Sequence, residues 1–519
     1  MLKSMPVDNS LSTVARGASI AMVSMVAALL LQFGTRLVIA RFGMQANYGV
    51  FSLALVIFTF ATALSCLGLQ EGAARYIAFF RGKEDKTKIR KIVAATFQLT
   101  IVSGIITCVF LYLCAQPIAE KLFHNVDLIL PLRIFAIGVP FFTMVYIIPT
   151  IFRGFGRIEP QAFFQFLLLN SIFFLLVLIN MLFKFPFDYI FYGYLIAIVI
   201  SFIVLSTYSF NNLPSLGKFN INVFDIKISR AILVFSLPLL GTYILGMSAV
   251  NIDTLVLGYL KPVEDVGLYN AAYPLANSLV IPLSALTLIY LPVITSLYST
   301  NSFEELKETY RASAKWINML TFPVFTVLIL FPGAVLNVVV GPDYVLASSA
   351  LRILSCGFMV HSLLGLSGIT LLALGETRYL MWALFIATAV NFLVNILLVP
   401  HLGITGAAIA SALSLILVNI LYYLKLYKIC QVKPFKISLL KPIVVSIILA
   451  IILGYVINRF IPISIWILPI IFLLYYGIYA AAIVFTKTFE ESDMILLLEI
   501  EKISRIKIEP LKRVLRKLV

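Results

Sequence analysis

The stretch PLRIFAIGVPFFTMVYIIPTIFRGFGR, at residues 131–157, returns in altered form as ALRILSCGFMVHSLLGLSGITLLALGE at residues 350–376. The two stretches align without a gap at an offset of 219, and Gly156 and Gly375 coincide near their ends. Both are apolar runs of the length that crosses a bilayer, with an arginine near the start of each. One such match is weak by itself, so a second match at the same offset is needed before a repeat is inferred.

That second match joins VIARFGMQANYGVFSLA (38–54) to VLGYLKPVEDVGLYNAA (256–272), at an offset of 218. It pairs Gly49 with Gly267 and occurs in the same order along the chain. Two matches at nearly equal offsets predict two homologous halves.

The composition restricts the class of protein before any single residue is considered. Of 519 residues, 61% are hydrophobic and 12% are charged, whereas soluble domains carry about 25% charged residues. This excludes a cytosolic enzyme, a disordered chain and a secreted disulfide scaffold. The net charge of +16 does not indicate a nucleic-acid partner, because the basic residues punctuate long apolar runs and do not cluster on one domain.

Apolar runs long enough to span a bilayer predict an all-α polytopic membrane protein with about fourteen transmembrane helices. The runs are 17–40, 48–70, 92–115, 131–152, 162–183, 189–210, 231–258, 269–293, 316–340, 346–373, 379–399, 405–428, 442–460 and 464–486. Six helices per half make the halves parallel repeats, with the substrate path expected between them. We expect an N-terminal lobe at 1–210, a C-terminal lobe at 211–428, two further helices at 429–486 and a tail at 487–519.

The basic residues also predict the orientation of the chain. Thirty-one of the 39 lysines and arginines fall in the termini and alternate loops on the side of the N-terminus. Because cytoplasmic loops carry the excess of lysine and arginine, both termini are expected in the cytoplasm. The basic tail is either an amphipathic helix on the inner leaflet or a solvated segment.

Two ionisable residues inside predicted spans are candidates for function, because charge within a bilayer is costly. Arg36 lies near the outer end of the first run, and Asp253 lies in the outer part of the seventh. At the 218 offset Arg36 matches Thr254, so the two charges lie at nearly the same level of the two halves. They could form an outer ion pair across a central cavity, or bind an anionic head group and a coupling cation. The alternatives are a structural pair or side chains that reach the interface.

Further candidates are polar residues of three kinds. Residues that could line the cavity, or form interhelical hydrogen bonds, are Gln32, Asn251, Asn277 and His361, the last either a proton relay or a packing residue. Residues at the cytoplasmic entrance are Gln70, Glu71 and Arg75, and charges at outer helix ends, expected as interfacial anchors, are Arg41, Arg133 and Arg352. No metal-ligand spacing is present, and neither a metal, a cofactor nor a catalytic residue is expected.

Three stretches resemble a known family. Residues 40–78 (ARFGMQANYGVFSLALVIFTFATALSCLGLQEGAARYIA), 260–276 (LKPVEDVGLYNAAYPLA) and 374–414 are similar to the Wzx-like oligosaccharide flippases of the multidrug/oligosaccharidyl-lipid/polysaccharide superfamily. The resemblance implies a V-shaped pair of six-helix lobes around a cationic cavity. It also implies that a polyprenyl- or dolichyl-linked oligosaccharide moves from the cytoplasmic to the outer leaflet. Arg36 is the best positional match to the family's pyrophosphate-binding arginines.

We accordingly expect a monomer in the plasma membrane, contacting membrane lipid and using H⁺ or Na⁺ as a coupling cation. Two other functions are open. A cation-coupled multidrug exporter of the same superfamily would share the fold. A membrane polysaccharide polymerase or glycosyltransferase would need clustered catalytic groups, and the short outer loops offer only the adjacent pair Glu264 and Asp265.

Overall fold

Helices account for nearly all of the chain in the computed structural model, which describes residues 7–213, 225–432, 440–460 and 467–485. The tail at 487–519, for which an amphipathic helix was one prediction, lies outside the described residues. The α-helices, numbered in chain order, are α1 (Val7–Cys66), α2 (Leu69–Gly82), α3 (Lys86–Pro117), α4 (Ile129–Gly154), α5 (Leu169–Phe183), α6 (Tyr189–Asn212), α7 (Ile226–Leu260), α8 (Val263–Asn277), α9 (Ile281–Ser299), α10 (Phe303–Leu330), α11 (Pro332–Val339), α12 (Ser348–Leu364), α13 (Leu366–Ala373), α14 (Thr377–Leu402), α15 (Ile404–Cys430), α16 (Leu440–Phe460) and α17 (Ile467–Phe485).

The first helix contains two of the predicted spans. Its 60 residues would extend about 90 Å at 1.5 Å per residue, roughly three times the hydrocarbon thickness of a bilayer. The backbone leaves the helical region at Met44, where φ is 60° and ψ is 163°. Met44 lies between the predicted spans 17–40 and 48–70, so α1 consists of two helices joined at a kink.

The structure is that of a multi-span membrane protein. Within the described residues, ten helical segments are long and apolar enough to cross a membrane, or eleven if the bent pair at 263–287 and 290–299 forms one span. This number is below the fourteen predicted, for two reasons. Segment Ser24–Gly82 counts once although it includes the kink at Met44, and the last two apolar helices, Ile443–Ile452 and Leu473–Ile483, are short in the described part.

The chain packs as two compact units, Met1–Gly267 and Leu268–Val519. In the first unit, the fully buried ring of Phe58 contacts Phe142 at 5.0 Å and Phe135 at 5.4 Å between centroids. In the second unit, buried hydroxyls pair: Tyr290 with Thr370 at 2.8 Å and Tyr310 with Ser367 at 2.9 Å. The lobe boundary expected at residue 210 stays a prediction, because compact packing and sequence repetition are different criteria.

Helix ends of the same geometry occur in both halves of the chain. After α4, Gly156 adopts a left-handed φ of 81°, and after α13, Gly375 adopts 82°. In the first turn the amide of Arg157 donates to the carbonyl of Phe152, and in the second the amide of Glu376 donates to that of Leu371, both at 3.0 Å. Left-handed residues with two such backbone bonds end helices in the Schellman manner.

Two further pairs of left-handed residues have the same spacing. Glu84 and Asn301, 217 residues apart, have φ of 55° and 57° in the turns before α3 and α10. Lys184 and Gly403, 219 residues apart, have φ of 54° and 53° after α5 and α14. Positive φ is uncommon for residues other than glycine, so its recurrence at a constant spacing is informative about the relation between the halves.

Candidate functional site

Arg36 lies on α1, two turns before the kink at Met44, and is half-buried. Its guanidinium interacts electrostatically with the phenol groups of Tyr48 and Tyr194. Both tyrosines are buried, with 1% and 7% of their surfaces exposed. The charge therefore faces polar atoms inside the first compact unit, where a guanidinium could also bind an anionic group.

Asp253 lies on α7 and is fully buried. It takes part in polar or electrostatic contacts there. A buried carboxylate at membrane depth is expensive unless it is paired, hydrogen-bonded or protonated. The structure thus places both predicted intramembrane charges, Arg36 and Asp253, away from a fully exposed surface. Their direct ion pair stays a prediction.

The other predicted cavity residues are in different environments. Asn251 is half-buried, and its side-chain amide donates to the carbonyl of Met247 on the same helix at 2.9 Å. Gln32 and Asn277 are exposed. His361 lies on α12 in the second unit, where its Nδ1 lies 2.9 Å from Nδ2 and 3.2 Å from Oδ1 of Asn419. Asn419 is fully buried and can donate to neutral histidine or accept from the protonated ring.

The predicted entrance residues surround an arginine that sequence reasoning missed as a site residue. Nη2 of Arg153, at the end of α4, lies 2.9 Å from Oε1 of Glu71 and donates to the carbonyl of Gln70, also at 2.9 Å. The guanidinium of Arg75 lies 4.2 Å from the ring centroid of Phe235 on α7. The repeat stretch that contains Arg153 could have drawn attention to it, whereas nothing in the sequence places Phe235 beside Arg75.

The first turn of α7 is fixed by polar contacts. The carboxylate of Asp225 caps the helix by accepting from the amides of Lys227 at 3.1 Å and Ile228 at 3.3 Å. It also accepts from Nζ of Lys91 on α3 at 3.0 Å. The hydrogen bond from Lys91, followed by that from the Ile228 amide, lowers the pKa of the Asp225 carboxyl. These contacts hold α7 to α3 at the end that the charge pattern predicts to be cytoplasmic.

The backbone of α7 also packs closely on the turn between α1 and α2. Gly68, with φ of 71°, and Gly72 approach Ser236 so closely that a Cβ on either would lie within 2.2 Å of a Ser236 oxygen. Ser236 is fully buried and its hydroxyl makes no hydrogen bond. Glycine is required at Gly68 by both its conformation and this approach.

The three charges predicted at outer helix ends have different contacts. Arg41 is exposed. The guanidinium of Arg133 lies 5.5 Å from the ring centroid of Tyr112, and Nε of Arg352 donates to the carbonyl of Ile329 at 3.0 Å. In the described part of the chain, no group of three or more His, Cys, Asp or Glu side chains could hold a metal ion.

Comparison with known proteins gives consistent relatives. Residues 14–298 match the family model described as polysaccharide biosynthesis protein, and residues 238–397 match the model described as MatE. A probable flippase, AglR, of Haloferax volcanii is 26% identical over 196 residues, which are 36% of this chain and 40% of that protein. A putative O-antigen transporter of Shigella flexneri is 21% identical over 404 residues, 74% of this chain and 91% of that one.

Among solved structures, the lipid II flippase MurJ in an inward closed conformation superposes with a TM-score of 0.69 at 16% identity. The superposition covers 89% of this chain and 98% of that one. At this identity the likeness shows a shared fold.

Proposed function

Because the chain belongs to the polysaccharide biosynthesis protein family of the multidrug/oligosaccharidyl-lipid/polysaccharide superfamily, we propose that it is a flippase for a lipid-linked oligosaccharide. The family is one of membrane transporters, so the chain is not an enzyme. The proposed movement is from the cytoplasmic to the outer leaflet by alternating access. The names of the relatives from Haloferax and Shigella support this class of substrate.

The observation that carries the proposal is the pair of inward-placed charges, half-buried Arg36 and fully buried Asp253. A phosphate or pyrophosphate head group cannot cross hydrocarbon without compensating charge, and a guanidinium offers two parallel donors to phosphate oxygens. Asp253 is the candidate for binding a coupling cation, H⁺ or Na⁺. The lipid tail can stay in the bilayer, so only the head group needs a polar path.

We further propose fourteen spans arranged as two parallel repeats of six with two helices appended. The matched left-handed turns at Gly156 and Gly375, and at Lys184 and Gly403, support the repeat. The bounds of α4, and of α12 with α13, support it also, because both begin and end 219 residues apart. The kink at Met44 supports counting α1 as two spans. A location in the plasma membrane, cytoplasmic termini, V-shaped lobes and a monomeric state stay predictions.

The test is flipping in proteoliposomes that contain undecaprenyl- or dolichyl-pyrophosphate N-acetylglucosamine. A membrane-impermeant sugar-oxidising reagent reports the fraction of head groups in the outer leaflet over time. Arg36→Ala should lower the initial rate about tenfold or more, since a charge-assisted hydrogen bond contributes about 1.5–3 kcal/mol. Arg230→Ala, which removes an exposed arginine near the start of α7, is the matched control. An Arg36→Ala variant that flips at the wild-type rate contradicts the role of Arg36.

The second candidate is a cation-coupled exporter, which the MatE match over residues 238–397 favours together with buried Asp253. Proteoliposomes loaded with ethidium and given an H⁺ or Na⁺ gradient separate the two functions. Cation-driven ethidium transport that Asp253→Asn abolishes, without any flipping of the two lipid-linked sugars, favours the exporter.

A further inference from the structure

The glycines of the repeated motif, Gly49 on α1 and Gly267 on α8, lie where two helices cross with no room for a side chain. A Cβ on Gly49 would lie 2.0 Å from the carbonyl oxygen of Val263, and a Cβ on Gly267 would lie 2.1 Å from that of Gln45. Each of these carbonyls belongs to the residue four positions before the opposite glycine. The Cβ positions also lie 3.0 Å and 3.1 Å from the amide nitrogen of the opposite glycine.

These near-equal distances describe a self-complementary contact, in which each helix presents the same atoms to the other. That is the pattern of an isologous interface around a local twofold axis. Helices in membranes approach this closely only through small residues, and the contacts that form are van der Waals and Cα–H···O interactions. Such contacts are individually weak and disappear when the backbones separate, so the crossing is suited to forming and breaking.

Both helices have a break just before the crossing. In α1 the backbone is non-helical at Met44, five residues before Gly49. Helix α7 ends at Leu260, and α8 begins at Val263, four residues before Gly267. A helix that starts after a break can change direction without moving the preceding helix as a rigid rod. The crossing therefore combines a contact without side chains with a hinge on each side.

We propose that the Gly49–Gly267 crossing is the outer gate of the transporter, closed in this conformation and separated when the chain opens outward. This inference rests on the proposed function, from which the orientation and the alternating access are taken. A side chain at either glycine would hold the gate open. Ordinary contact begins near about 3.5 Å, so a Cβ at 2.0 Å from a backbone oxygen requires a separation of more than an ångström.

The first experiment measures the distance between spin labels by double electron–electron resonance. Labels at Asn47→Cys and Glu264→Cys, in a protein whose five native cysteines are replaced, report the separation of the two helices beside the crossing. Gly49→Leu and Gly267→Leu should each move most of the distance distribution outward by about 5 Å, the rise of one helical turn. Gly477→Leu is the control, because nothing lies within 4 Å of a Cβ at Gly477 on α17. Unchanged distributions in both folded leucine variants would overturn the proposal.

A second experiment keeps both glycines and so does not depend on how the leucine variants fold. A short thiosulfonate tether between the same two cysteines should stop the flipping of pyrophosphate-linked N-acetylglucosamine, and a reducing agent should restore it. Full flipping with the tether in place would overturn the gate. If the untethered protein flips neither lipid, the proposed function fails by itself, whereas the label distances still decide whether the crossing opens.

Discussion

Gly68, which joins α1 to α2, gives the sharpest test of how α7 is held. Its φ of 71° lies in the left-handed region, and a Cβ there would lie 2.2 Å from the carbonyl oxygen of Ser236 and 2.9 Å from the amide nitrogen of Leu240. Both neighbours are backbone atoms of α7, so they cannot rotate away. Gly68→Ala therefore meets a conformational and a steric penalty together.

The two penalties can be estimated separately. The left-handed conformation costs a residue with a Cβ about 1–2 kcal/mol. Forcing an extra carbon into a packed contact costs about 1–3 kcal/mol. We expect Gly68→Ala to lower the free energy of unfolding by about 2–5 kcal/mol, the sum of these ranges.

Two glycines of the same chain serve as matched controls. Gly375 has a φ of 82° with nothing within 4 Å of its Cβ position, so Gly375→Ala carries only the conformational penalty. Gly82 has neither positive φ nor a close neighbour, so Gly82→Ala should leave stability unchanged or raise it slightly. Thermal unfolding of the purified variants in one detergent should place Gly82→Ala highest, Gly375→Ala lower and Gly68→Ala lowest.

The order of the midpoints decides the question. If Gly68→Ala melts together with Gly375→Ala, the steric penalty is missing and α7 does not lie against the α1–α2 turn as described. If all three melt together, the left-handed turns are also wrong.

Two other contacts of α7 lead to predictions that the same purified protein can test. Ser236→Ala removes a buried hydroxyl without a hydrogen-bond partner, so melting should be unchanged or higher. It should also rescue Gly72→Ala, whose Cβ would lie 2.1 Å from Oγ of Ser236 but 3.4 Å from its Cβ. Lys91→Met should lower the midpoint at pH 7 by removing the ion pair with Asp225. Because the pair lowers the pKa of the Asp225 carboxyl in the folded state, its contribution is present above about pH 4 and lost as the pH falls further, so the two proteins should converge in acid.

Hydropathy was sufficient to predict the class of fold and the position of most spans. It could not predict that the first two spans form one continuous helical stretch bent at Met44, because a kink in an apolar segment leaves no signal in composition. The short helix α2 was likewise merged with the second predicted span, since Leu67 and Gly68 break the helix by their conformation and the surrounding residues stay apolar.

The candidate site was predictable only as far as individual charges allow. Arg36 and Asp253 stand out because ionisable residues are rare in spans. Arg153, Phe235 and Ser236 did not stand out, since their significance comes from residues far along the chain. The guanidinium of Arg153 meets Glu71, 82 residues away, and such a pairing exists only after the helices have packed.

The contacts of α7 explain how one helix could connect the two ends of a transport path. Its start is fixed to α3 by the Lys91–Asp225 pair and to the α1–α2 turn by Ser236, whereas buried Asp253 lies near its other end. The Gly49–Gly267 crossing follows immediately after it. A motion that frees one end of α7 breaks a set of contacts different from those at the other end. The balance between these two sets would then determine which side opens, and binding at Asp253 can shift that balance only by favouring one arrangement over the other.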